Sequence, residues 1–471
     1  MLVEVRPIAR LRGDRPVDLP NALAPILQAL GEGSVDLART RVVCDWIQYR
    51  NNFREVVDVR PIDGFGTEIA VDLRRCADSD LATAAKHALT GPPRTYLEGW
   101  VPGSQSLIWR FNALYWQALS LWEQATGKQY EQALPGGKSD ARDLDGVREL
   151  ISWLFEVWDS LAERNALPDT LYVVELGVGN GNQAKAWLDE FRRMDAHHGR
   201  DYYQRLHYLM GDYSPHVLEL AKASVAEHAE HVSGLVLDAC HPSSTLGFLR
   251  YKASLVYISN VYDNLPTDEL ARIGGRAYRI EVRAYLSDDQ ARRIASKFSC
   301  TVDRLPSLID KLLRLGPELL TDAVPELFVE PGAAVEFWRE CWAALRLEER
   351  YVPLHGLDLY QVAPKVTGEL LRPLLESGGD VRMQVSNGAV TSFADTLPLL
   401  HPYGRLHVHD LFVTDQQRYQ TAFCGPGKYD GSVVNWVNGA LLRLVGARMG
   451  VEVTFEKFAH NITTLVARLR D

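Results

Sequence analysis

The residues best suited to chemistry lie in one stretch at positions 173–182, with the sequence VVELGVGNGN. A short, β-branched apolar run ends at the acid Glu175, and glycines follow at 177, 179 and 181. Such a run predicts a buried parallel strand, and the apolar spacing of the next segment predicts a helix. Glycine allows the positive φ of a tight turn and lets a ligand approach the backbone. The turn leaves free amide groups at the helix N-terminus, so this stretch predicts a ligand site.

The glycine spacing separates two nucleotide cofactors. A dinucleotide-binding turn, G-x-G-x-x-G, requires a glycine where this chain has Asn182. The stretch E-x-G-x-G-x-G found here resembles motif I of the class I S-adenosylmethionine-dependent methyltransferases. The resemblance implies that Gly177, Gly179 and Gly181 hold the methionine end of the cofactor and that Glu175 lies beneath its amino group. The alternative is a glycine turn that binds nothing.

Three further strand ends carry polar residues in the order that this family shows. The apolar stretches at 206–210, 234–239 and 253–259 lead to Asp212, Asp238 and Asn260. Open α/β sheets bind ligands at the carboxyl ends of their strands. The resemblance implies that Asp212 binds the ribose hydroxyls, that Asp238 lies near the adenine amino group, and that the Ala239 amide faces the ring. Each acid taken alone is more often a solvated loop residue or a helix cap. The cofactor-binding residues that the resemblance implies are Glu175, Gly177, Gly179, Gly181, Asp212, Tyr213, Asp238, Ala239 and Ser259.

The carboxyl end of the chain predicts the rest of the sheet. A fifth strand at 404–413, a helix at 436–449, and strands at 451–458 and 462–469 follow from the apolar patterns. Only three residues join the last two strands, so these must be antiparallel. We therefore predict an α/β protein with the class I methyltransferase sheet of seven mostly parallel strands and an antiparallel C-terminal hairpin. An N-terminal extension and a helical insertion complete the predicted fold.

A narrower resemblance is to the MidA-like methyltransferases, whose mitochondrial members include a protein arginine methyltransferase that assists respiratory complex I assembly. SNVYDNLP at 259–266 is similar to that family's SNEFFDALP, and HVHDLF at 407–412 corresponds to a strand ending in IDYG. GGKSD at 136–140 and GKYDGS at 427–432 are weaker similarities, and the whole covers roughly residues 130 to 471. The chain has Val261 where the family has a glutamate. Because a carboxylate is the natural partner of a guanidinium, this difference argues against arginine as the acceptor.

Four residues are candidates for the methyl-transfer step. The resemblance at 259–266 implies that Asn260 forms a polar wall of the cofactor and acceptor site, and that Asp263 orients or deprotonates the acceptor. Asp410 and His409 are alternative bases, and only the imidazole has an unperturbed pKa near neutrality. Asp263 is equally well explained as a turn cap, and His409 as part of a packed strand pair with His407. We predict no metal site, because the reaction is an SN2 displacement that needs only alignment and loss of a proton.

The 471 residues are enough for two or three lobes around an ample core. We predict an N-terminal α+β extension at 1–95, and a helical lead-in with the first half of the sheet at 96–286. A helical insertion at 287–367, acting as a lid or binding the acceptor, and the second half of the sheet at 368–471 follow. Five tryptophans at near-helical spacing are predicted to be core residues: Trp109, Trp116, Trp122, Trp153 and Trp158.

Composition bounds the partners. The six cysteines are scattered without paired spacing, which indicates a reducing cytoplasm rather than a disulfide framework or a zinc site. No run approaches the roughly 18 apolar residues of a membrane span, and a net charge of −10 does not favour nucleic acid. We predict a cytoplasmic enzyme that could form a homodimer and that acts on a protein or small-molecule methyl acceptor. The alternative is a non-catalytic cofactor-binding assembly or scaffold protein, which the missing acid at 261 favours.

Overall fold

The computed structural model describes residues 2–5, 19–32, 39–45, 51–72, 75, 80–128, 144–420, 425–458 and 462–469. The strands in these ranges are β1 (Leu2–Val5), β2 (Thr40–Asp45), β3 (Val57–Ile62), β4 (Gly66–Asp72), β5 (Arg94–Tyr96), β6 (Val101–Pro102), β7 (Leu171–Leu176), β8 (Leu206–Asp212), β9 (Val232–Val236), β10 (Ala253–Ser259), β11 (Glu269–Ile273), β12 (Arg276–Ser287), β13 (Arg346–Pro353), β14 (Gln361–Ala363), β15 (Val366–Thr367), β16 (Val381–Gln384), β17 (Leu400–Asp410), β18 (Phe412–Val413), β19 (Gly427–Tyr429), β20 (Ser432–Val434), β21 (Val437–Asn438), β22 (Val451–Lys457) and β23 (Thr463–Leu469).

The helices in the same ranges are α1 (Leu19–Gly31), α2 (Leu81–Thr90), α3 (Leu107–Gln117), α4 (Leu119–Thr126), α5 (Leu144–Glu163), α6 (Asn182–His197), α7 (Tyr202–Arg205), α8 (Pro215–Ser224), α9 (Pro242–Leu246), α10 (Asp288–Lys297), α11 (Leu305–Ala323), α12 (Pro331–Ala344), α13 (Arg372–Leu375), α14 (Asn387–Thr396) and α15 (Gly439–Arg448). Among them, none combines the length and the apolar character that a bilayer crossing requires. The weakly similar segment at 136–140 lies outside the described residues.

Seven strands form one sheet in the order β22-β23-β17-β10-β7-β8-β9. The strands from β17 to β9 are parallel, whereas β23 is antiparallel to both of its neighbours. This order and these directions confirm the predicted class I methyltransferase sheet with its antiparallel C-terminal hairpin. Tyr257 is in register with Glu175 on one side and His407 on the other, so the carboxyl ends of β7, β10 and β17 lie level. Residues 459–461 of the hairpin connection lie outside the described ranges.

Helices cover both faces of this sheet. On one face α5 and α6 pack through Trp158 and Phe191 against Tyr208 of β8. On the other face α14 and α15 pack against the apolar residues of β10 and β17, including Val256 and Val408. Parallel strands that are buried on both faces appear in a sequence as continuous apolar runs. This is why the strands that position the site could be located from the sequence.

A second sheet has ten strands, in the order β1-β2-β4-β3-β13-β12-β11-β16, with β5 and β6 also paired to β12. β12 is the strand with the most neighbours in this sheet. Helices α10, α11 and α12 pack on it, and α1 and α2 pack on the N-terminal strands. The insertion at 287–367 is therefore helical as far as α12 and then continues as strands. The predicted domain bounds stay predictions, but this sheet takes strands from all four segments.

Candidate functional site

A cavity of about 330 Å³ opens at the carboxyl ends of β7, β8, β9 and β10. Most of the residues predicted to bind the cofactor line it, although they come from four separate strand ends. Those in the lining are Glu175, Gly177, Gly179, Asp212, Tyr213, Asp238, Ala239 and Ser259, together with Asn260. The third glycine, Gly181, lies behind the loop and does not line the cavity.

The glycine loop joins β7 to α6 and has positive φ at Gly177, Gly179 and Gly181, with values of 76°, 57° and 79°. The loop also makes two close approaches. A Cβ on Gly177 would lie 2.3 Å from Cγ2 of Val261, and a Cβ on Gly181 would lie 2.7 Å from Cα of Ala221 in α8. Backbone conformation and packing therefore both require glycine at these two positions.

Asp212, at the end of β8, ties the glycine loop to the next helix. Its Oδ2 accepts a hydrogen bond from the Gly179 amide at 3.3 Å, and its Oδ1 accepts one from the Ser214 amide at 3.0 Å. Ser214 in turn caps α8 by accepting a hydrogen bond from the Val217 amide. Burial raises the pKa of Asp212 to about 6. The carboxylate is thus held at the cleft wall with its position fixed by backbone amides.

Glu175 lies at the floor of the cleft with only 2% of its surface exposed. Its Oε2 accepts a hydrogen bond from the Tyr208 hydroxyl at 2.7 Å. Burial raises the pKa of Glu175 to about 8, and the nearby Asp212 carboxylate acts in the same direction. The carboxyl group therefore carries a proton at neutral pH, and a cationic ligand group beside it would favour the ionised form.

The adenine side that the resemblance implies is formed by residues after β8 and β9. Asp238 is exposed, and its Oδ1 accepts a hydrogen bond from the Cys240 amide at 2.8 Å. Strand β9 ends at Val236, three residues before the end of the apolar stretch predicted at 234–239. Tyr213 lies opposite α3, where Gln117 donates a hydrogen bond to its hydroxyl at 2.8 Å. This part of the cleft is therefore narrowed by a helix that precedes the sheet in sequence.

Helix α3 supplies cleft residues that the sequence did not identify. Trp109, Asn112, Ala113 and Trp116 line the wall that faces the glycine loop. The core assignment is confirmed for Trp109, Trp122 and Trp158, which are buried. The two indoles that line the cleft are seven residues apart and share a helix face, a spacing that also suits core packing. In the described part of the chain, no residue of 287–367 lines the cleft, so α3 takes the covering position expected of the insertion.

Only Asn260 of the four predicted catalytic residues lines the cleft. Its φ is +52°, and its backbone N–H donates a hydrogen bond to the His409 carbonyl oxygen at 2.9 Å. Asp410 is fully buried, and its Oδ2 accepts from the backbone amides of residues 261, 262 and 263. Burial and the Asp410 charge raise the pKa of Asp263 well above its usual range, and Asn264 donates to its Oδ1. Asp410 therefore holds the loop after β10 from below, and Asp263 is a buried residue of that loop, so neither acid lies at the predicted place beside the reacting atoms.

His409 lies elsewhere. Side chains alternate along a strand, so His407 and His409 point to the face of β17 opposite Asp410. Both histidines line a separate cavity, where Nδ1 of His409 lies 2.8 Å from Oγ1 of Thr464. The structure therefore does not bring the predicted imidazole base to the cleft.

Known structures resemble this chain at low sequence identity. No protein-family model and no curated protein matches the chain. The chain is similar to a Burkholderia thailandensis protein bound to S-adenosyl-homocysteine, with a TM-score of 0.45 and 13% identity over 79% of this chain and 88% of that one. It is also similar to an uncharacterized protein from the same organism, with a TM-score of 0.41 and 13% identity over 79% of this chain and 87% of that one. A third similar structure is the CurJ carbon methyltransferase, with a TM-score of 0.29 and 11% identity over 78% of this chain and 70% of that one.

Proposed function

We propose that the protein binds S-adenosylmethionine and transfers its methyl group to an acceptor. The observation that carries the proposal is the convergence of Glu175, the glycine loop, Asp212 and Asp238 on one cavity at the carboxyl edge of a parallel sheet. Ligands bind at that edge in open α/β sheets. The chemical groups are those that a positively charged amino acid joined to a nucleoside requires.

The donors and acceptors of the cleft fit the parts of this cofactor. The Asp212 carboxylate suits a pair of ribose hydroxyls, since a carboxylate accepts several hydrogen bonds. The buried Glu175 suits the amino group, whose positive charge would stabilise the ionised carboxylate. The ring of Tyr213 and the indole of Trp116 offer flat surfaces to a purine. The close approach of Val261 to Gly177 narrows the cleft next to the methionine end.

When bound, the cofactor supplies a sulfonium-activated methyl group. The residues of the chain then have to align an acceptor with it, which is the main source of rate in such a displacement. Trp109, Asn260, Asn264 and Pro266 form the wall beyond the cofactor residues and are the proposed acceptor wall. A proton on the acceptor nucleophile would pass to solvent, because the described residues of this wall are amides, an indole and a proline.

Titration calorimetry of the full chain with S-adenosylmethionine and S-adenosyl-homocysteine tests the proposal. We expect binding of both, a loss of affinity of at least tenfold in Asp212→Ala, and no measurable binding in Gly179→Val. Asp201→Ala, which removes an exposed carboxylate outside the cleft, serves as the matched control and should bind as the unaltered protein does. Absence of binding by the unaltered protein would refute the proposed function.

A second candidate function, a non-catalytic cofactor-binding scaffold, is favoured by one observation. Asp410 is buried beneath the loop after β10, Asp263 of that loop is buried and does not line the cleft, and Val261 takes the position next to Gly177. Incubation of a cell extract with the protein and radiolabelled S-adenosylmethionine separates the two functions. Label that enters an extract component only when the protein is present supports the enzyme. Cofactor binding without any label transfer supports the scaffold.

A further inference from the structure

A second cavity of about 350 Å³ lies on the opposite side of β17 from Asp410. Its described lining comes from α5, the middle of β10 and β17, and the C-terminal hairpin. Among these lining residues, Gln183 alone also borders the cofactor cleft. The cavity is therefore a separate space with its own side chains, and the proposed methyl transfer uses none of the groups described next.

Aromatic rings shape this second cavity. The ring of His409 lies 4.4 Å from that of Phe458 and 5.3 Å from that of Tyr257, measured between centroids. The guanidinium carbon of Arg405 lies 4.1 Å above the indole of Trp153. Rings at these separations are in contact and leave flat faces toward the cavity. The space thus suits a planar, apolar ring system.

Two hydrogen-bond donors in the cavity lack partners within the described part of the chain. Nδ1 of His407 is buried and makes no hydrogen bond there. Arg405 lies on the Trp153 ring and forms no ion pair with any described carboxylate. Burial lowers the pKa of His407 to about 3, so its imidazole is neutral and can donate from Nδ1. A buried donor without a partner is costly, and an anion bound beside the half-buried Arg405 guanidinium would satisfy it.

The carboxylates of Glu456 and Glu156 act on the Arg405 guanidinium through space, but none of the described carboxylates forms an ion pair with it. Glu149, Glu456 and Lys457 are exposed to solvent, so water screens them. Arg405 is the charged group among the described residues that lies inside, half-buried against an indole. A guanidinium presents two parallel donors that match the two oxygens of a carboxylate.

We propose that this second cavity binds a small aromatic carboxylate. The ring packs among Trp153, Tyr257 and Phe458, and the carboxylate accepts hydrogen bonds from Arg405 and His407. The site is independent of the proposed methyl transfer, although Gln183 places it next to the cofactor cleft.

Ligand-observed NMR titrations of the full chain test this proposal with three probes: benzoate, its uncharged counterpart benzamide, and inorganic phosphate. We expect benzoate to bind, benzamide to bind at least tenfold more weakly, and phosphate not to displace benzoate. Arg405→Gln should weaken benzoate at least tenfold. The matched control is Arg468→Gln, the same substitution at the register partner of Arg405, where the exposed arginine pairs with Glu452. It should weaken benzoate far less than Arg405→Gln does, because Arg468 acts on the cavity only through its charge near Arg405.

Several outcomes would overturn the proposal: no benzoate binding at millimolar concentration, equal binding of benzoate and benzamide, displacement by phosphate, or unchanged affinity in Arg405→Gln. If Arg405→Gln does not fold, His407→Leu removes the second donor and should weaken benzoate severalfold. Unchanged benzoate affinity in that variant would also contradict the site. S-adenosyl-homocysteine titrations of the same variants report the cofactor cleft separately. A failure of cofactor binding therefore leaves the benzoate result interpretable.

Discussion

Two buried glutamates, one in each sheet, have opposite electrostatic surroundings. Glu175 of the seven-stranded sheet is 2% exposed, has a tyrosine as its hydrogen-bond partner, and its burial raises the pKa to about 8. Glu349 of the ten-stranded sheet is 4% exposed and contacts three arginines. Burial opposes its ionisation, but the guanidiniums of these arginines hold the pKa of Glu349 well below its usual range. The Glu175 carboxyl group has no cationic partner among the described residues, so a ligand can supply one. The Glu349 carboxylate is already neutralised by the arginines of the protein.

The arginines around Glu349 belong to a buried network in the second sheet. Arg382 donates two hydrogen bonds to Glu349, both at 2.9 Å, and Arg60 Nε lies 3.0 Å from the same carboxylate. Arg54 also contacts Glu349, and Arg60 pairs with Glu68 at 2.9 Å. The ion pairs thereby connect four strands and a loop, so this sheet is held by internal charges as well as by apolar packing.

The largest effect is expected from Glu349→Gln. The substitution leaves three buried guanidiniums without their shared carboxylate, so the free energy of unfolding should fall by about 3–5 kcal/mol. Chemical denaturation measures it. Glu348→Gln is the matched control, because this neighbour on β13 makes partly exposed pairs and should cost about 1 kcal/mol or less. Equal losses in the two variants would remove the distinction between the sheets.

The pH dependence of Glu175 should come next in size. Its pKa in the folded protein is above the unfolded value, so this group's contribution to stability is present below the unfolded pKa of 4.5 and is lost as pH rises to about 8. The pH dependence of ligand binding has the opposite sign, because a ligand ammonium group beside Glu175 favours the ionised carboxylate. Affinity for S-adenosyl-homocysteine should therefore rise by up to about tenfold per pH unit between pH 6 and 8. Calorimetry at pH 6, 7 and 8 measures it. A Glu175→Gln variant with the same slope would show that another group titrates.

Gly181→Ala should cost about 2 kcal/mol in cofactor affinity, because the new Cβ would meet the α8 backbone at a position with φ of +79°. The atoms that the new Cβ would meet belong to Ala221, and its backbone can move only if α8 moves with it. Gly199→Ala is a suitable control, since that glycine also has positive φ but has open space around it. Titration with S-adenosyl-homocysteine should show wild-type affinity for the control and a roughly thirtyfold loss for Gly181→Ala. Equal affinities would show that packing against α8 is unimportant.

The smallest effect is a partial rescue. Gly177→Ala collides with a side chain, Val261, so adding Val261→Ala should restore about 1 kcal/mol of the lost affinity. Restoration should be incomplete because the positive φ of residue 177 remains. The same second substitution should not rescue Gly181→Ala, and a double-mutant cycle by calorimetry measures both couplings. Rescue of both variants would mean that Val261 acts through general loosening of the loop.

The seven-stranded sheet and the cofactor wall could be predicted because their signals are local. Buried parallel strands are continuous apolar runs, and Asp212 and Asp238 follow such runs directly. The ion network could not be predicted, since Arg54, Glu349 and Arg382 are far apart in the sequence. Period-two alternation puts His407 and His409 on one face but does not say which side of the sheet that face meets.

The covering helix and the buried acids were missed for related reasons. Trp109 on α3 has the spacing of a core residue, and only the tertiary fold shows that it also borders the cleft. Asp410 is separated from the loop at 261–263 by well over a hundred residues, so its hydrogen bonds to that loop leave no trace in the local pattern. Local sequence therefore identified the edge of the sheet where the cleft opens, whereas the parts that act across the chain required the structure.

The interleaving of the two sheets along the chain has a consequence for biosynthesis. During translation β10 leaves the ribosome long before its neighbour β17, because the segment that completes the second sheet is synthesised between them. One edge of β10 therefore stays bare on the nascent chain during that interval, and bare strand edges recruit other chains. Chaperone contact at this stage would protect the half-made sheet until residues 400–410 emerge and close it.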